Sequence, residues 1–231
     1  MYKNIIINGK YTGKKEENFI NRGSTMKKFL IAVFLAAAIT APVFAAEQGI
    51  MEFGVKAGLP LTQQTTLDGN GSRDYDMKTT MSVGADFFYY VDYNIAVGIG
   101  AEHIFNSKLK YAPDEPKDKI GYTNIFFEVK YNFDFDEDGY NNIYPIFQLG
   151  YGILHGDWDL RDDPPGASVE NENGVYWGIG MGATIARYFI MELIYSCNYG
   201  SAEFTGYPKN FEYDVATYRF KLNVGFKFDF Y

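Results

Sequence analysis

The chain has 231 residues, with 21 Lys and Arg against 29 Asp and Glu, so its formal net charge is −8 at pH 7. This acidic balance argues against a nucleic-acid-binding protein, which needs a basic surface. A single cysteine excludes an internal disulfide and a cysteine-based zinc cluster, and the lack of any apolar run of 18 residues argues against membrane-spanning helices.

The first 45 residues have the features of a secretory signal with an upstream extension. A basic start at 26–28 precedes eleven apolar residues, and small residues then lead to a cleavage position after Ala45. We therefore predict an extension over 1–25 that results from a misassigned start, a cleaved signal peptide over 26–45 and a mature domain over 46–231. The first 45 residues carry seven basic and two acidic residues, so the mature chain has a net charge of −13.

The rest of the chain alternates apolar and polar residues with a period of two. This alternation is typical of β-strands that have one apolar and one polar face. Strands of 11 residues or more are longer than most globular strands and long enough to cross a bilayer at a tilt. We predict eight such strands, over 49–61, 78–90, 95–105, 122–134, 143–154, 175–186, 189–199 and 218–230.

The connections between these strands alternate in length. Short ones lie at 90–94, 135–142 and 187–188, and long polar ones lie at 62–77, 106–121, 155–174 and 200–214. Short periplasmic turns and long external loops are typical of outer-membrane barrels. The pattern predicts an all-β fold, an eight-stranded antiparallel up-and-down transmembrane β-barrel, with both termini in the periplasm.

The direction of the apolar face separates a membrane barrel from a soluble one. A soluble barrel such as a lipocalin faces its apolar residues inward, whereas a membrane barrel faces them toward lipid. In each of the eight strands, every second position belongs to the apolar face, and we call this set of 50 positions the apolar parity. It contains no charged residue, and its only polar members are Thr79, His103 and Thr123. The opposite parity is rich in Gly, which leaves room for long side chains in a narrow barrel. Both observations favour the membrane barrel.

Aromatic residues near the strand ends predict two belts at the two membrane interfaces. One belt lies on the short-turn side and comprises Tyr89, Tyr93, Phe133, Phe135, Tyr188, Phe189, Phe228 and Phe230. The other belt comprises Phe105, Tyr122, Tyr151, Trp177, Tyr199 and Tyr218.

These features resemble the small outer-membrane barrels of the OmpA, OmpX and opacity type. The resemblance rests on the signal segment, the first strand "GVKAGLPL" at 54–61, the eight-strand rhythm and the closing "YRFKLNVGFKFDFY" at 218–231. It covers essentially all of 46–231 and implies a location in the outer membrane of a diderm bacterium. We expect no peptidoglycan-binding domain after the barrel, so the cell-wall tether of OmpA-like members is not carried over.

The polar parity predicts charged side chains inside the barrel, five acidic and five basic: Glu52, Asp86, Glu102, Glu128 and Glu192, with Lys56, Lys130, Arg219, Lys221 and Lys227. Buried charges persist when they are paired, so we expect salt bridges that plug the barrel. The alternative is a narrow channel for ions or small solutes.

Two further motifs carry weaker signals for chemistry. Asp134, Asp136 and Asp138 resemble the start of a calcium loop, but the twelfth position of that loop is Pro145 instead of a bidentate Glu. A lipid-modifying outer-membrane enzyme is the third hypothesis, and such an enzyme can use a His with a nearby Ser and a carboxylate. His103 and His155 have no Ser within two residues, although a partner could come from another strand. We predict no enzyme and no catalytic, metal or cofactor site, and Cys197 is expected to act as a small apolar residue.

Segment 155–174 is the longest and most acidic connection, with six acids against one Arg. Its Trp158 and Leu160 are either exposed binding anchors or part of a solvated tip. The sequence therefore predicts a structural role, or an interaction at the cell surface through four external loops. The expected partners are outer-membrane lipids and an extracellular or host ligand, with no nucleic acid, and the protein is expected to be a monomer.

Overall fold

The computed structural model describes residues 49–69, 71–110, 118–135, 141–159, 164–208 and 210–230, all within one compact unit, Phe44–Tyr231. These residues form ten β-strands: β1 Met51–Asp68, β2 Ser72–Asp76, β3 Ser82–Tyr90, β4 Ile95–Lys108, β5 Lys119–Tyr131, β6 Phe133–Asp134, β7 Asn142–Asp157, β8 Ser168–Ile185, β9 Phe189–Thr205 and β10 Phe211–Phe230. No helix among them is long and apolar enough to cross a membrane. The predicted segments 1–25 and 26–45 lie outside the described residues.

Eight of the strands pair side by side in a closed antiparallel ring, in the order β1, β3, β4, β5, β7, β8, β9, β10. The last strand returns to the first, with a register that runs from Met51 opposite Phe230 to Asp68 opposite Asp214. β2 pairs with β1 beyond the end of β3, and β6 pairs with β7. The ring satisfies the backbone polar groups within the protein, as a bilayer requires. The predicted eight-stranded barrel is confirmed.

The alternation of side chains across the barrel wall follows the predicted parity. Outward residues such as Ile99, Ile125, Phe147 and Phe226 are about half exposed. Their neighbours along each strand point inward and are buried. The outer wall is therefore an apolar belt that suits contact with lipid, whereas the interior is polar.

Seven of the eight ring strands continue into the segments predicted as long loops. β10, for example, has 20 residues, whereas about 9–11 suffice to cross a bilayer. β3 is the exception, because it begins at Ser82. Beyond that point, β2 takes its place beside β1. We call the described residues within 62–77, 106–121, 155–174 and 200–214 the extension.

The alternation inverts in β1, β4 and β8 where the extension begins, and it continues without inversion in β5, β7, β9 and β10. The register shifts between Pro60 and Thr62 in β1, and similar shifts occur in β4 and β8. Leu59, below the shift, is 46% exposed, and Leu67, above it, is 8% exposed. The inward residues form an apolar cluster, which comprises Leu67, Met77, Ile104, Leu109, Ile120, Tyr122, Leu154, Ala202, Phe204 and Val215. A barrel wall that leaves the bilayer meets water outside, so its apolar residues turn inward as in a soluble barrel.

Candidate functional site

The interior at the short-turn end is organised around one carboxylate. Glu52 accepts hydrogen bonds from Lys130 Nζ at 2.5 Å, from Lys227 Nζ at 3.0 Å and from the Tyr90 hydroxyl at 2.9 Å. Lys227 also lies 3.4 Å from Asp229. Glu52, Lys130 and Lys227 come from β1, β5 and β10, so this cluster ties three strands of the ring together.

A second charged cluster lies in the middle of the interior. Lys56 forms salt bridges to Asp86 and to Glu192, the latter with Nζ to Oε1 at 2.9 Å. Glu192 also accepts hydrogen bonds from the Tyr144 hydroxyl at 3.0 Å and from Asn223 Nδ2 at 3.2 Å. The cluster crosses the interior between opposite parts of the wall, because Lys56 is on β1 and Tyr144 is on β7.

A third cluster of charged side chains lies directly below the extension, so the three clusters form three layers along the barrel axis. Lys221 donates to both oxygens of Glu102 at 2.6 Å. Arg219 donates to Asn198 Oδ1 at 2.8 Å and lies 4.9 Å from the centre of the Tyr122 ring. All ten charged residues of the predicted set therefore lie in the interior.

Their pairing is not one to one, although the charges balance in number. Glu128 has no cation within salt-bridge distance in the described residues, and it accepts a hydrogen bond from Gln148 at 2.8 Å. Arg219 likewise forms no salt bridge in the described part of the chain. Its Nε and Nη2 and the Glu128 Oε1 are buried without hydrogen-bond partners among these residues.

Small residues make room for this network. A Cβ atom on Gly182 would overlap the Tyr144 ring, and one on Gly58 would overlap the side chains of Ser82 and Asn223. A cavity of ≈ 20 Å³, lined in part by Asp86, Glu102, Lys221 and Asn223, remains between the second and third layers. That space accommodates about one water molecule.

Tyrosines and amides supply much of the interior hydrogen bonding. Tyr90, Tyr144 and Tyr176 are buried, and the Tyr176 hydroxyl donates to Gln148 Oε1 at 2.6 Å. These residues were not predicted from the sequence, although their inward-facing positions in the strand alternation are the signal that could have identified them. Tyr122 was assigned to an interface belt, and that prediction is wrong: its side chain is fully buried inside, where its hydroxyl lies 3.1 Å from Thr217 Oγ1.

The two histidines meet on the outer wall, where the extension begins. His103 Nδ1 lies 2.9 Å from the Thr123 hydroxyl, and His155 Nε2 lies 2.8 Å from the same oxygen. The His103 ring also packs edge-on against Phe105, with ring centres 4.9 Å apart. Burial and the neighbouring His103 lower the pKa of His155. Sequence spacing could not reveal this meeting, because the three residues lie on three different strands.

The remaining residues that were singled out from the sequence either contact other side chains of the barrel or lie outside the described residues. Trp158 is not an exposed anchor: its Nε1 donates to Asn171 Oδ1 at 2.9 Å, and its ring packs against Phe204. Leu160, Asp136 and Asp138 lie outside the described residues. Within the described ranges, no group of three or more His, Cys, Asp or Glu residues could hold a metal ion. Cys197 is fully buried in the wall.

A closed ring with an apolar outer belt and a charged interior defines an integral β-barrel of the outer membrane. The chain belongs to the family described as outer membrane protein beta-barrel domain, whose model matches residues 31–229.

Solved structures of other outer-membrane proteins resemble the chain at low sequence identity. OprG from Pseudomonas aeruginosa aligns with a TM-score of 0.56 and 15% identity, over 78% of this chain and 96% of that one. Neisserial surface protein A gives 0.44 and 16%, over 76% and 97%. Ail, the attachment invasion locus protein of Yersinia pestis, gives 0.41 and 13%, over 78% and 99%. No curated protein matches the chain significantly in sequence.

Proposed function

We propose that the protein is a closed outer-membrane barrel with a structural or surface-interaction role. The observation that carries this proposal is the filled interior. Three layers of hydrogen-bonded charged side chains follow one another along the axis, and the apolar cluster covers them at the extension. An ion on this path would have to break buried salt bridges and then cross an apolar, close-packed section, and each of these steps is costly.

The proposed orientation places the short connections and both barrel ends in the periplasm, with the extension outside the cell. It is supported by the usual arrangement of outer-membrane barrels, whose longer parts face outward. Labelling of intact cells tests it. A cysteine introduced at Ala167→Cys, in the connection between β7 and β8, should react with a membrane-impermeant maleimide, whereas the buried Cys197 of the parent protein should not. Labelling only after cell lysis would contradict the proposed orientation and place the extension in the periplasm.

The outer wall of the extension supports a surface role. Glu170, Glu203 and Glu212 are cross-strand partners on β8, β9 and β10, and Asp68 lies opposite Asp214 where β10 meets β1. Like charges directly opposite each other are unfavourable in a sheet. A cationic partner or bridging cations at the cell surface would therefore relieve the repulsion within these rows of carboxylates.

Osmotic swelling of proteoliposomes tests the closed barrel. Vesicles that contain the folded protein should swell in arabinose no faster than empty vesicles, and vesicles that contain a general porin serve as the positive control. Swelling at a rate comparable to the porin control would contradict the proposal and favour the channel.

A further inference from the structure

One sector of the extension, together with the adjoining Lys78, is basic, whereas the remainder of the extension is largely acidic. Lys78, Lys108 and Lys119 lie side by side on neighbouring segments: Lys78 N donates to Lys108 O at 2.9 Å, and Lys108 is the cross-strand partner of Lys119. We call these three residues the lysine row. Asp157 ends the row, with its Oδ2 2.6 Å from Lys119 Nζ. Lys78 and Lys108 are exposed and form no salt bridge within the described ranges.

The lysine row carries an electrostatic cost that the described residues offset only in part. Lysines directly opposite each other on paired strands repel, and one carboxylate compensates for three ammonium groups. An anion above Lys108 and Lys119 would convert this repulsion into charge-assisted hydrogen bonds. The sector is therefore suited to a ligand with negative charge.

Hydrogen-bonding groups lie directly below the lysine row. Gly121 follows Lys119 on the same face of β5 and leaves a shallow hollow, over which Asn106 lies. His155 is the cross-strand partner of Gly121. One step further down are His103 and Thr123, which together with His155 form the histidine patch. Two residues along a strand span about 7 Å. Gly121 lies two residues and Thr123 four residues from Lys119 on β5, so the histidine patch extends from about 7 Å to about 13 Å below the lysine row.

The apolar belt begins immediately below the histidine patch. Ile125, two residues below Thr123 on β5, is 50% exposed, and Ile99, further down β4, is 57% exposed. Phe105, which packs against His103, lies on β4 between His103 and Lys108. Headgroups occupy about 5–8 Å on each side of the hydrocarbon core. Along β5, the order from belt to row is therefore an apolar side chain, a hydrogen-bonding group and a cation. This is the order of acyl chain, sugar and phosphate in a phosphorylated glycolipid.

We propose that the lysine row and the histidine patch bind the phosphorylated headgroup of a glycolipid in the outer leaflet. Lys108 and Lys119 take the phosphate, while the imidazoles, the Thr123 hydroxyl and the Asn106 amide bond to sugar hydroxyls. The acyl chains continue along Ile125 and Ile99. This inference rests on the proposed orientation, which the cell-labelling experiment tests separately.

Native mass spectrometry of the protein released from phosphatidylcholine nanodiscs that contain lipid A tests the site. The double variant K108Q/K119Q should retain lipid A roughly tenfold less than the parent protein, because it loses two charge-assisted hydrogen bonds. Arg73→Gln is the matched control, since it removes a positive charge from exposed β2 of the same extension. It should retain lipid A like the parent. Folding of each variant is checked by its heat-dependent gel mobility.

Three results would overturn the proposal. They are equal retention of lipid A by K108Q/K119Q and R73Q, equal retention of dephosphorylated lipid A by the parent protein, and full displacement of lipid A by millimolar inorganic phosphate. The last would assign the site to a free anion. Because these readouts concern the outer wall, they are independent of whether the interior conducts.

Discussion

At the scale of single residues, Glu52 is an interior carboxylate that has two lysine partners. It compensates for two buried lysines, Lys130 and Lys227, and accepts a hydrogen bond from the Tyr90 hydroxyl. Removal of one partner from a buried ionic cluster leaves an uncompensated charge, which is more costly than the loss of the attraction itself. The inward parity of Glu52 could be predicted from sequence. Its partners could not, because they are 78 and 175 positions away and depend on the stagger of the strands.

Glu52→Gln should therefore destabilise the barrel by about 3–5 kcal/mol. Thermal unfolding in detergent micelles, followed by the loss of heat-dependent gel mobility, measures the effect. Glu170→Gln, on the exposed wall of β8, is the control and should change stability by less than about 0.5 kcal/mol. Addition of Lys130→Met to Glu52→Gln should recover part of the loss. Equal melting of the two single variants would show that Glu52 has no such role.

Asp214 is a residue whose charge opposes folding. Partial burial and the neighbouring Glu212 and Asp68 raise its pKa, so the folded protein holds this proton more tightly than the unfolded chain does. The carboxylate is therefore unfavourable at neutral pH, and the penalty disappears as the pH falls below the pKa of the unfolded chain. Asp214→Asn should raise the melting temperature at pH 7 by about 1–2 °C and leave it unchanged near pH 3. A decrease at pH 7 would contradict this interpretation.

At the scale of strands, the register shift in β1 determines which residues face water. An uninterrupted alternation from Leu59 would place Leu67 outside and Thr66 inside. The structure has the opposite arrangement: Leu67 joins the apolar cluster, and the partly buried Thr66 donates to exposed Asp74 at 2.7 Å.

Paired asparagine substitutions test this inversion. Leu67→Asn should cost about 2–4 kcal/mol, because it removes buried apolar surface and buries an amide. Thr66→Asn should cost less than about 1 kcal/mol. The measurement is thermal unfolding in micelles, and a larger loss for Thr66→Asn would mean that the alternation continues through the shift.

The membrane-spanning parts of the strands could be predicted because lipid imposes one rule on all of them. Eight runs share a period of two and an outward face without charge, so β10 was predicted from Tyr218 to Phe230 with the observed facing. The extension could not be predicted, because polar residues on its outer wall resemble a loop and the shifts hide the change of parity. The histidine patch was missed for a related reason: only the pairing of β4, β5 and β7 brings His103, Thr123 and His155 together.

At the scale of the whole molecule, the charges separate into three zones. The interior of the membrane-spanning part balances acids against bases, the outer belt is uncharged, and the wall of the extension is largely acidic apart from the lysine row. The net charge of the chain therefore describes its water-facing surfaces. The charged surface and the proposed closed interior agree with the proposed role at the cell surface.

Conductance of the folded protein in a planar lipid bilayer tests the closed interior most directly. The parent protein should insert without long-lived conductance steps, because we propose that three layers of hydrogen-bonded charged side chains and the apolar cluster obstruct the axis. A general porin in the same bilayer verifies that the assay detects open pores. Stable, voltage-independent steps from the parent protein would contradict the account and establish a continuous water-filled path.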